Sequence, residues 1–438
     1  MRLNKAKLIL MKLNVLLLGS GGREHSMAWS ISKSELLDQL FVAPGNSGTA
    51  QLGKNVSLEL DDFDEVQSFI EVNDIDLTVV GPEKPLVDGI VDFLEERGHK
   101  VFGPSKAAAR LEGSKDFANT FMKENLIPTA DYATFSRDEF DNAFSYVQQK
   151  NEYPVVLKAD GLAGGKGVFI CETEEEVQQR LNQLQEDTNL GEAAETLVIE
   201  EFLEGEEASV FVISDGESAK IILNAQDHKR AKDGDTGLNT GGMGAYCPAP
   251  VLTEEMMHRV EKEIVLPTIS AMVLDDQPYK GILYCGLMIT EDGPKVVEYN
   301  CRFGDPECQA ILPSLQSDFL ELMWATVEGN LYEKDIKLDQ KYRCCVVMAS
   351  GGYPQTYQTG KEINGVGDVG EDALVFHAGT TMQDGKLLSD GGRVLNVVCS
   401  GDTLEDAIRN TYKEVKKISF EDMHYRTDIG VKGLAHFD

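Results

Sequence analysis

The sequence is short of positive charge. Lysine and arginine number 41 against 74 aspartates and glutamates, a formal net charge of −33 over 438 residues. Proteins that grip nucleic acid through its phosphates carry a basic excess, so a general DNA- or RNA-binding role is disfavoured. An acidic surface keeps a chain dispersed and leaves its fold open. If the ligands are anionic, the few cations must gather at one site. No run approaches the roughly 18 apolar residues of a membrane span, and no membrane partner is expected. The start, MRLNKAKLILMKLNVLLL, is basic and then apolar, but Lys12 and Asn14 interrupt it and no small-x-small cleavage motif follows, so a secretory signal is rejected. Met11 is an alternative start, with residues 1–10 a disordered extension. None of the eight cysteines forms a C-x-x-C pair, and most sit in apolar runs. Buried, reduced thiols in a cytoplasmic protein are expected.

What is present is the composition of an ordinary folded chain, 42% apolar and 26% charged. At roughly 150 residues per domain the length suggests about three domains. Residues 13–18 (LNVLLL) run into Gly19-Ser20-Gly21-Gly22 and then a helical stretch from Arg23. Strand, glycine turn, helix opens a doubly wound α/β domain. FVAPGN (41–46), DLTVVGPE (76–83) and KVFGPS (100–105) repeat the strand-then-turn pattern, which places a ligand crevice at four strand ends. From about residue 113 the pattern changes. YPVVLKADGLAGGKGVFIC (153–171) reads as an antiparallel hairpin around a glycine loop. A Glu/Gln-rich helix follows over about 173–187, then two strands in TLVIEEFLEGEEASVFVIS (196–214). Residues 226–247 read as a long ordered loop, of the kind that is more often functional than structural. Strands are expected in YCGLMIT (284–290) and PKVVEYNCRF (294–303), and a small α+β unit from about 340.

Four constellations carry chemistry. Lys158 closes an apolar strand, and Lys166 lies on the loop with Gly161, Gly164, Gly165 and Gly167. Glycines let backbone amides approach phosphate oxygens, and two ammonium groups offset polyphosphate charge. The spacing is not that of a Walker A loop. Glu200 to Glu207 (EEFLEGEE) follow a strand; such a connector offers backbone groups to an adenine edge and a carboxylate to ribose hydroxyls. Glu298, Asn300 and Arg302 alternate in a strand and so share a face. A carboxylate with an amide oxygen suits Mg²⁺ beside phosphates, and Arg302 suits charge on a phosphoryl group in transfer. A plain Glu298–Arg302 ion pair is the competing explanation. Finally, QDHKR (226–230) with TGGMGA (240–245) suits an amino-acid zwitterion, glycines and arginine toward the carboxylate and Asp227 toward the amine. His228 is expected at the surface without a catalytic role. The Gly19–Gly22 loop lacks the third glycine of a dinucleotide fingerprint, Glu24 standing there, so NAD does not follow.

Together these residues resemble the ATP-grasp superfamily, and within it the phosphoribosylamine–glycine ligase (glycinamide ribonucleotide synthetase) family. The segments are GSGGREH (19–25), APGNSGTA (43–50), VGPEKPLVDG (80–89), LEGSK (111–115), KADGLAGGKGV (158–168), IEEFLEGEEAS (199–209), QDHKRAKDGDTGLNTGGMGAY (226–246), VEYNCRFGDPE (297–307), ASGGYP (349–354) and FHAGT (376–380), in order along nearly the whole chain. The resemblance implies an α/β and α+β multidomain fold: an N-terminal pre-ATP-grasp domain over 11–112, an ATP-grasp domain over 113–335 with a lid at about 134–196, and a C-terminal domain over 336–438. It implies ATP-dependent ligation of glycine to 5-phosphoribosylamine through a glycyl phosphate, in purine biosynthesis. Carried over by position, Lys115, Lys158 and Lys166 with Gly164, Gly165 and Gly167 would meet the ATP phosphates. Glu200, Glu201 and Leu203 would meet adenine, and Glu207 the ribose. Glu298 and Asn300 would hold Mg²⁺ or Mn²⁺, and Arg302 and Lys166 would be catalytic. Gly21, Gly22, Asn46 and Glu83 would line the phosphoribosylamine crevice, with Asp227 and Gly242 also holding substrate. The partners expected are these small molecules and, transiently, the next enzymes of the pathway. The sequence ends soon after the C-terminal unit, so a fused further pathway enzyme is not expected. One departure stands out: relatives in the wider superfamily carry another metal carboxylate on the strand before Glu298, where this sequence reads Tyr284-Cys285-Gly286-Leu287-Met288. Another ATP-grasp carboxylate–amine ligase, such as a carboxylase component, is the competing activity. A dead nucleotide-binding regulator would have lost Lys166, Glu298 or Asn300, and all three are present.

Overall fold

Short apolar runs ending in glycine or proline turns become parallel strands, because a strand covered on both faces has no polar side to show. β1 (Leu13–Gly19), β2 (Leu37–Pro44), β3 (Lys54–Asn55), β4 (Leu77–Val80) and β5 (Val101–Phe102) form a parallel sheet in the order β3-β2-β1-β4-β5. The chain steps outward from β1 to β3 on one side, then returns to β4 and β5 on the other. The carboxyl end of β1 is therefore the switch point at which the crevice opens. The computed structural model describes residues 12–161, 167–186 and 195–437. The expectations placed on residues 1–10 and on Gly164, Gly165 and Lys166 fall outside them.

The glycine-loop hairpin is present. β6 (Tyr132–Ser136), β7 (Val155–Ala159), β8 (Val168–Cys171) and β9 (Thr196–Glu201) form an antiparallel sheet in the order β6-β9-β7-β8, with Lys158 opposite Val168. Helices Phe140–Lys150 and Glu174–Glu186 accompany it, and Val155, Leu157, Leu197 and Ile199 share their core. Alternation along β7 sends Lys158 to the opposite face, away from that core.

β10 (Glu206–Asp215), β11 (Ala219–Asp227), the hairpin strands β12 (Arg230–Lys232) and β13 (Thr236–Asn239), β14 (Gly244–Cys247), β15 (Lys280–Thr290) and β16 (Gly293–Asn300) come next, followed by β17 (Tyr342–Ala349), β18 (Ala373–His377), the hairpin β19 (Thr380–Gln383) and β20 (Lys386–Ser389), and β21 (Arg393–Gly401). Eight of these strands make one sheet, β16-β15-β10-β11-β14-β17-β21-β18. The α+β segment expected from about residue 340 is thus hydrogen-bonded into the central sheet through β14 and β17. Residues 226–247 are not the loop expected: they hold the end of β11, a two-stranded hairpin and β14. All eight cysteines are buried and unpaired. Among the described residues no helix is long and apolar enough to cross a membrane.

Candidate active site

Register assembles the site. Glu298 lies opposite Gly286, Asn300 opposite Tyr284, Gly286 opposite Ser209, and Ser209 opposite Ala225. Directly opposed residues share a face of an antiparallel sheet, and so do residues two apart. One face of the central sheet therefore carries Glu207, Asp227, Tyr284, Glu298 and Asn300. Gly286, directly opposite Glu298, lies on the strand that carries no acid from Tyr284 to Met288. A Cβ there would lie 3.0 Å from both Glu298 Cγ and Tyr284 Cε1, so the glycine keeps room for Glu298. A register shift in β16 leaves Val297 as an extra residue. Its carbonyl accepts a hydrogen bond from Lys158 Nζ at 3.1 Å, bringing the hairpin sheet onto the central one.

The cations converge here. Lys229 Nζ is paired with Glu207 and lies 3.5 Å from Glu298 Oε1. Lys115 Nζ donates to Gly161 O at 2.8 Å, and Lys158 Nζ pairs with Glu200 Oε2 at 2.6 Å. Burial alone would raise the Glu298 carboxyl, but Lys229, Lys158, Lys115 and Arg302 outweigh it and hold the group at about 2. Burial lowers Lys115 despite Glu298 and Asp160. In a chain of net charge −33 four cations are gathered here, three of them held by carboxylates: Lys229 by Glu207 and Glu298, Lys158 by Glu200, and Arg302 by Glu83 and Glu112. Lys229 was missed as a candidate; its signal was a lysine two residues beyond Asp227, in a motif read for amino-acid binding.

The strand ends at Asn300, so Arg302 is not the strand residue expected. Its side chain nevertheless turns back, with NH2 3.2 Å from Asn300 Oδ1. NH2 also donates to Glu112 Oε1 at 2.8 Å, and Nε lies 3.3 Å from Glu83 Oε2. The Glu298–Arg302 ion pair considered above does not form; Glu298 pairs with Lys229 instead. Glu112, whose role the sequence did not reveal, has a buried side chain, and its carboxyl is raised by that burial against the pull of Arg302.

Glu200 does not offer its side chain to a ligand. Its carboxylate accepts from Asn119 Nδ2 at 2.9 Å as well as from Lys158. Glu201 pairs with Lys295 at 3.1 Å, and its amide is bonded to Asp131 O at 2.9 Å. That leaves the backbone of the connector through Leu203 as its free edge. In the crevice, Gly21 N–H donates to Glu24 Oε2 at 2.7 Å and Arg23 N–H to Asp305 Oδ2 at 3.2 Å, so carboxylates of the chain already meet the N-terminus of helix Gly22–Ile31. Asn46 is buried, and its Nδ2 donates to Ser20 O at 2.8 Å and His377 O at 2.9 Å. It ties the crevice loops to the C-terminal segment. Gly242 (φ +112°) packs on the Asp305–Pro306 turn, where a Cβ would fall 2.5 Å from Pro306 Cδ. Arg393 braces the same loop, donating to Gly241 O at 2.7 Å and Asp305 O at 2.6 Å. His228 is buried rather than on the surface; burial first, then Lys432 and Arg426, push its pKa down to about 3.

Among the described residues no three histidine, cysteine, aspartate or glutamate side chains are arranged to hold a metal ion. Glu298 and Asn300 still fit one: a carboxylate kept ionised and an amide oxygen on one strand face are hard ligands, with further positions left to water and phosphate oxygens.

A hairpin sheet clamped over a central antiparallel sheet, with lysines from both around a Glu-x-Asn pair, defines an ATP-grasp enzyme. The chain matches phosphoribosylglycinamide synthetase in its N domain over residues 13–112, its ATP-grasp (A) domain over 113–308 and its C domain over 343–432. It is 48% identical to the phosphoribosylamine–glycine ligase of Rhodopirellula baltica over 435 residues, 98% of this chain and 99% of that one. It is 46% identical to that of Chlorobaculum tepidum over 428 residues, 96% and 100% of the two chains. The crystal structure of the Thermotoga maritima ligase superposes with a TM-score of 0.81 at 34% identity, covering 95% of this chain and 100% of that one. A biotin carboxylase from Campylobacter jejuni shares the fold at 15% identity, with a TM-score of 0.73 over 99% of this chain and 96% of that one. The chain belongs to the phosphoribosylglycinamide synthetase family.

Proposed function

We propose that the chain ligates glycine to 5-phosphoribosylamine at the expense of ATP, giving glycinamide ribonucleotide, ADP and phosphate. The observation that carries this is the convergence of Lys115, Lys158 and Lys229 on Glu298, beside Asn300 and Arg302, in a member of the family that aligns with a relative over 98% of this chain and 99% of that one. A carboxylate is a poor electrophile, so glycine must first be activated. Its oxygen attacks the γ-phosphorus, ADP leaves, and glycyl phosphate forms. The amine of phosphoribosylamine then attacks the acyl carbon, phosphate leaves, and the amide bond is made.

The chain's own groups have separable tasks. Lys115, Lys158 and Lys166, with Gly164, Gly165 and Gly167, bind the triphosphate. The Glu200–Leu203 backbone meets adenine, and Glu207, released from Lys229, takes the ribose hydroxyls. Glu298 and Asn300 would hold Mg²⁺ or Mn²⁺, which would neutralise phosphate charge. The planar fork of Arg302 stabilises charge spreading over the transferred phosphoryl group. Gly21, Gly22, Asn46 and Glu83 shape the crevice for phosphoribosylamine, and Asp227 and Gly242 line the acceptor side. Closure of the hairpin sheet excludes water, which would hydrolyse the acyl phosphate. The eight unpaired thiols suit a reducing cytoplasm.

Purified protein should release ADP only when ATP, Mg²⁺, glycine and phosphoribosylamine are all present. Efficient turnover of another carboxylic acid without glycine would reject the assignment in favour of a different carboxylate–amine ligase.

A further inference from the structure

The carboxylate of Glu112 is wholly taken up by the residues that follow β16. Its Oε1 accepts from Arg302 NH2 at 2.8 Å, and its Oε2 accepts from the Cys301 backbone N–H at 2.7 Å and from Cys301 Sγ at 3.0 Å. The Glu112 side chain is 7% exposed, against 35% for Glu83, the other acid beside Arg302. Glu83 lies 3.3 Å from Arg302 Nε, yet Nε is buried without a hydrogen-bond partner. Among the described residues Glu112 is thus the only carboxylate hydrogen-bonded to the guanidinium. Phe303 O and Asn300 Oδ1, each at 3.2 Å, take further donors of the fork, which leaves Nε–H available to a ligand. Glu112 belongs to the four-residue helix Arg110–Gly113, which ends where Ser114 caps helix Lys115–Glu124. Just beyond β7, Ser114 Oγ donates to Asp160 Oδ2 at 3.1 Å and Lys115 Nζ to Gly161 O at 2.8 Å. The stretch Glu112–Lys115 therefore joins the hairpin sheet to the segment that carries Arg302.

We propose that Glu112 is the positioning residue for Arg302, holding the guanidinium in the orientation from which it meets the transferred phosphoryl group; the inference rests on the role given to Arg302 above. A planar fork serves a developing charge only when its plane is set before the reaction begins. Cys301 directs the same carboxylate, because two donors on Oε2 leave Oε1 turned toward Arg302. Shape alone does not reproduce this. Glutamine has the shape of Glu112, but its amide NH2 would face another donor on one side, either Arg302 NH2 or the Cys301 N–H. Ground-state binding of a triphosphate does not need Glu112, since removing its charge leaves the cleft more positive.

The test is a double-mutant cycle of Glu112→Gln and Arg302→Lys. Two quantities are read on variants whose circular dichroism matches the wild type: kcat for ADP release, and the calorimetric affinity for a non-hydrolysable ATP analogue. Alone, Glu112→Gln should lower kcat at least about tenfold and leave the analogue affinity within about threefold. In the Arg302→Lys background the same change should cost less than about threefold in kcat, because the fork it positions is already gone. A merely structural Glu112 would lower kcat alike in both backgrounds, and losses that multiply in this way overturn the inference. So does a folded Glu112→Gln enzyme with the kcat of the wild type. Glu112→Asp carries the test if the glutamine variant does not fold. It keeps the charge but draws the carboxylate back by one methylene, about 1.5 Å, too far to serve Cys301 and Arg302 together. Its kcat should also fall at least about tenfold, and wild-type turnover overturns the inference. Undiminished kcat in Arg302→Lys alone would instead remove Arg302 from the chemistry, and a wild type without glycine-dependent ADP release would remove the ligase assignment; the inference falls with either.

Discussion

Replacing Arg302 by lysine separates nucleotide binding from chemistry. The guanidinium spreads its donors over Glu112 Oε1 at 2.8 Å, Asn300 Oδ1 at 3.2 Å and Phe303 O at 3.2 Å, and its Nε lies 3.3 Å from Glu83 Oε2 in an ion pair without a hydrogen bond. A lysine ammonium keeps the charge but not the planar fork, so it can satisfy one of these directions and not all. Lys115, Lys158 and Lys166 are untouched by the change, and these supply the charge for ground-state phosphate binding in the proposed mechanism. The affinity for a non-hydrolysable ATP analogue should therefore stay within about threefold. Turnover should fall roughly 100-fold, the scale seen when one donor aimed at developing charge is lost, which corresponds to about 2.7 kcal/mol of barrier. Calorimetry with the analogue and steady-state ADP release measure the two quantities on one preparation. Unchanged turnover would leave Arg302 a brace for Glu83 and Glu112 and remove it from the chemistry. A parallel loss of affinity would show that it binds the ground state equally.

Lys158→Met should strand the Glu200 carboxylate with Asn119 alone and destabilise the protein by about 3–5 kcal/mol, with Lys158→Met/Glu200→Gln recovering part of that; additive losses in a denaturant double-mutant cycle would contradict the pairing. Gly286→Ala places a methyl 3.0 Å from Glu298 Cγ and should raise the Mg²⁺ concentration for half-maximal activity more than it raises the ATP KM; an unaltered Mg²⁺ titration would count against Glu298 as a ligand. Acidification should unfold the protein through its buried histidines. Burial depresses His25 and His228 to about 3 and His377 to about 4. Their folded pKa values lie below the unfolded value, so the unfolded chain takes up protons first, and stability present above about pH 6.5 is lost as pH falls toward the folded values. Each should contribute about 2 kcal/mol of loss by pH 5; a denaturation midpoint flat from pH 7 to 5 would refute this.

Much of the scaffold is local and was legible. Runs such as LNVLLL and DLTVVGPE carry their own stop signals, and β1 and β4 end where the glycine and proline turns begin. The hairpin around Lys158 and the shared face of Glu298 and Asn300 follow from short-range alternation. What was hidden depends on partners distant in the chain. Lys229 gains its place only because β10, β15 and β16 lie side by side and present Glu207 and Glu298 to it. Glu112 looks like an exposed acid until Arg302 arrives from 190 residues away. His228 reads as a polar residue among polar neighbours, yet Arg426 and Lys432 fold back near it from the far end of the chain.

The same long-range logic bears on the C-terminal segment. It joins the central sheet through β17, and its Arg393 holds Gly241 and Asp305 from behind. Asp305 in turn caps the crevice helix through Arg23 N–H, while Asn46 bonds to His377 O. The turn bearing Gly304 and Glu307 is thus fixed from three sides: by β16, by the N-terminal crevice and by β21. A site that must align a carboxylate, an amine and a triphosphate at once needs such bracing, because a misplacement of about 1 Å is enough to cost roughly 100-fold in rate. The C-terminal segment therefore acts as the rear wall of the active site.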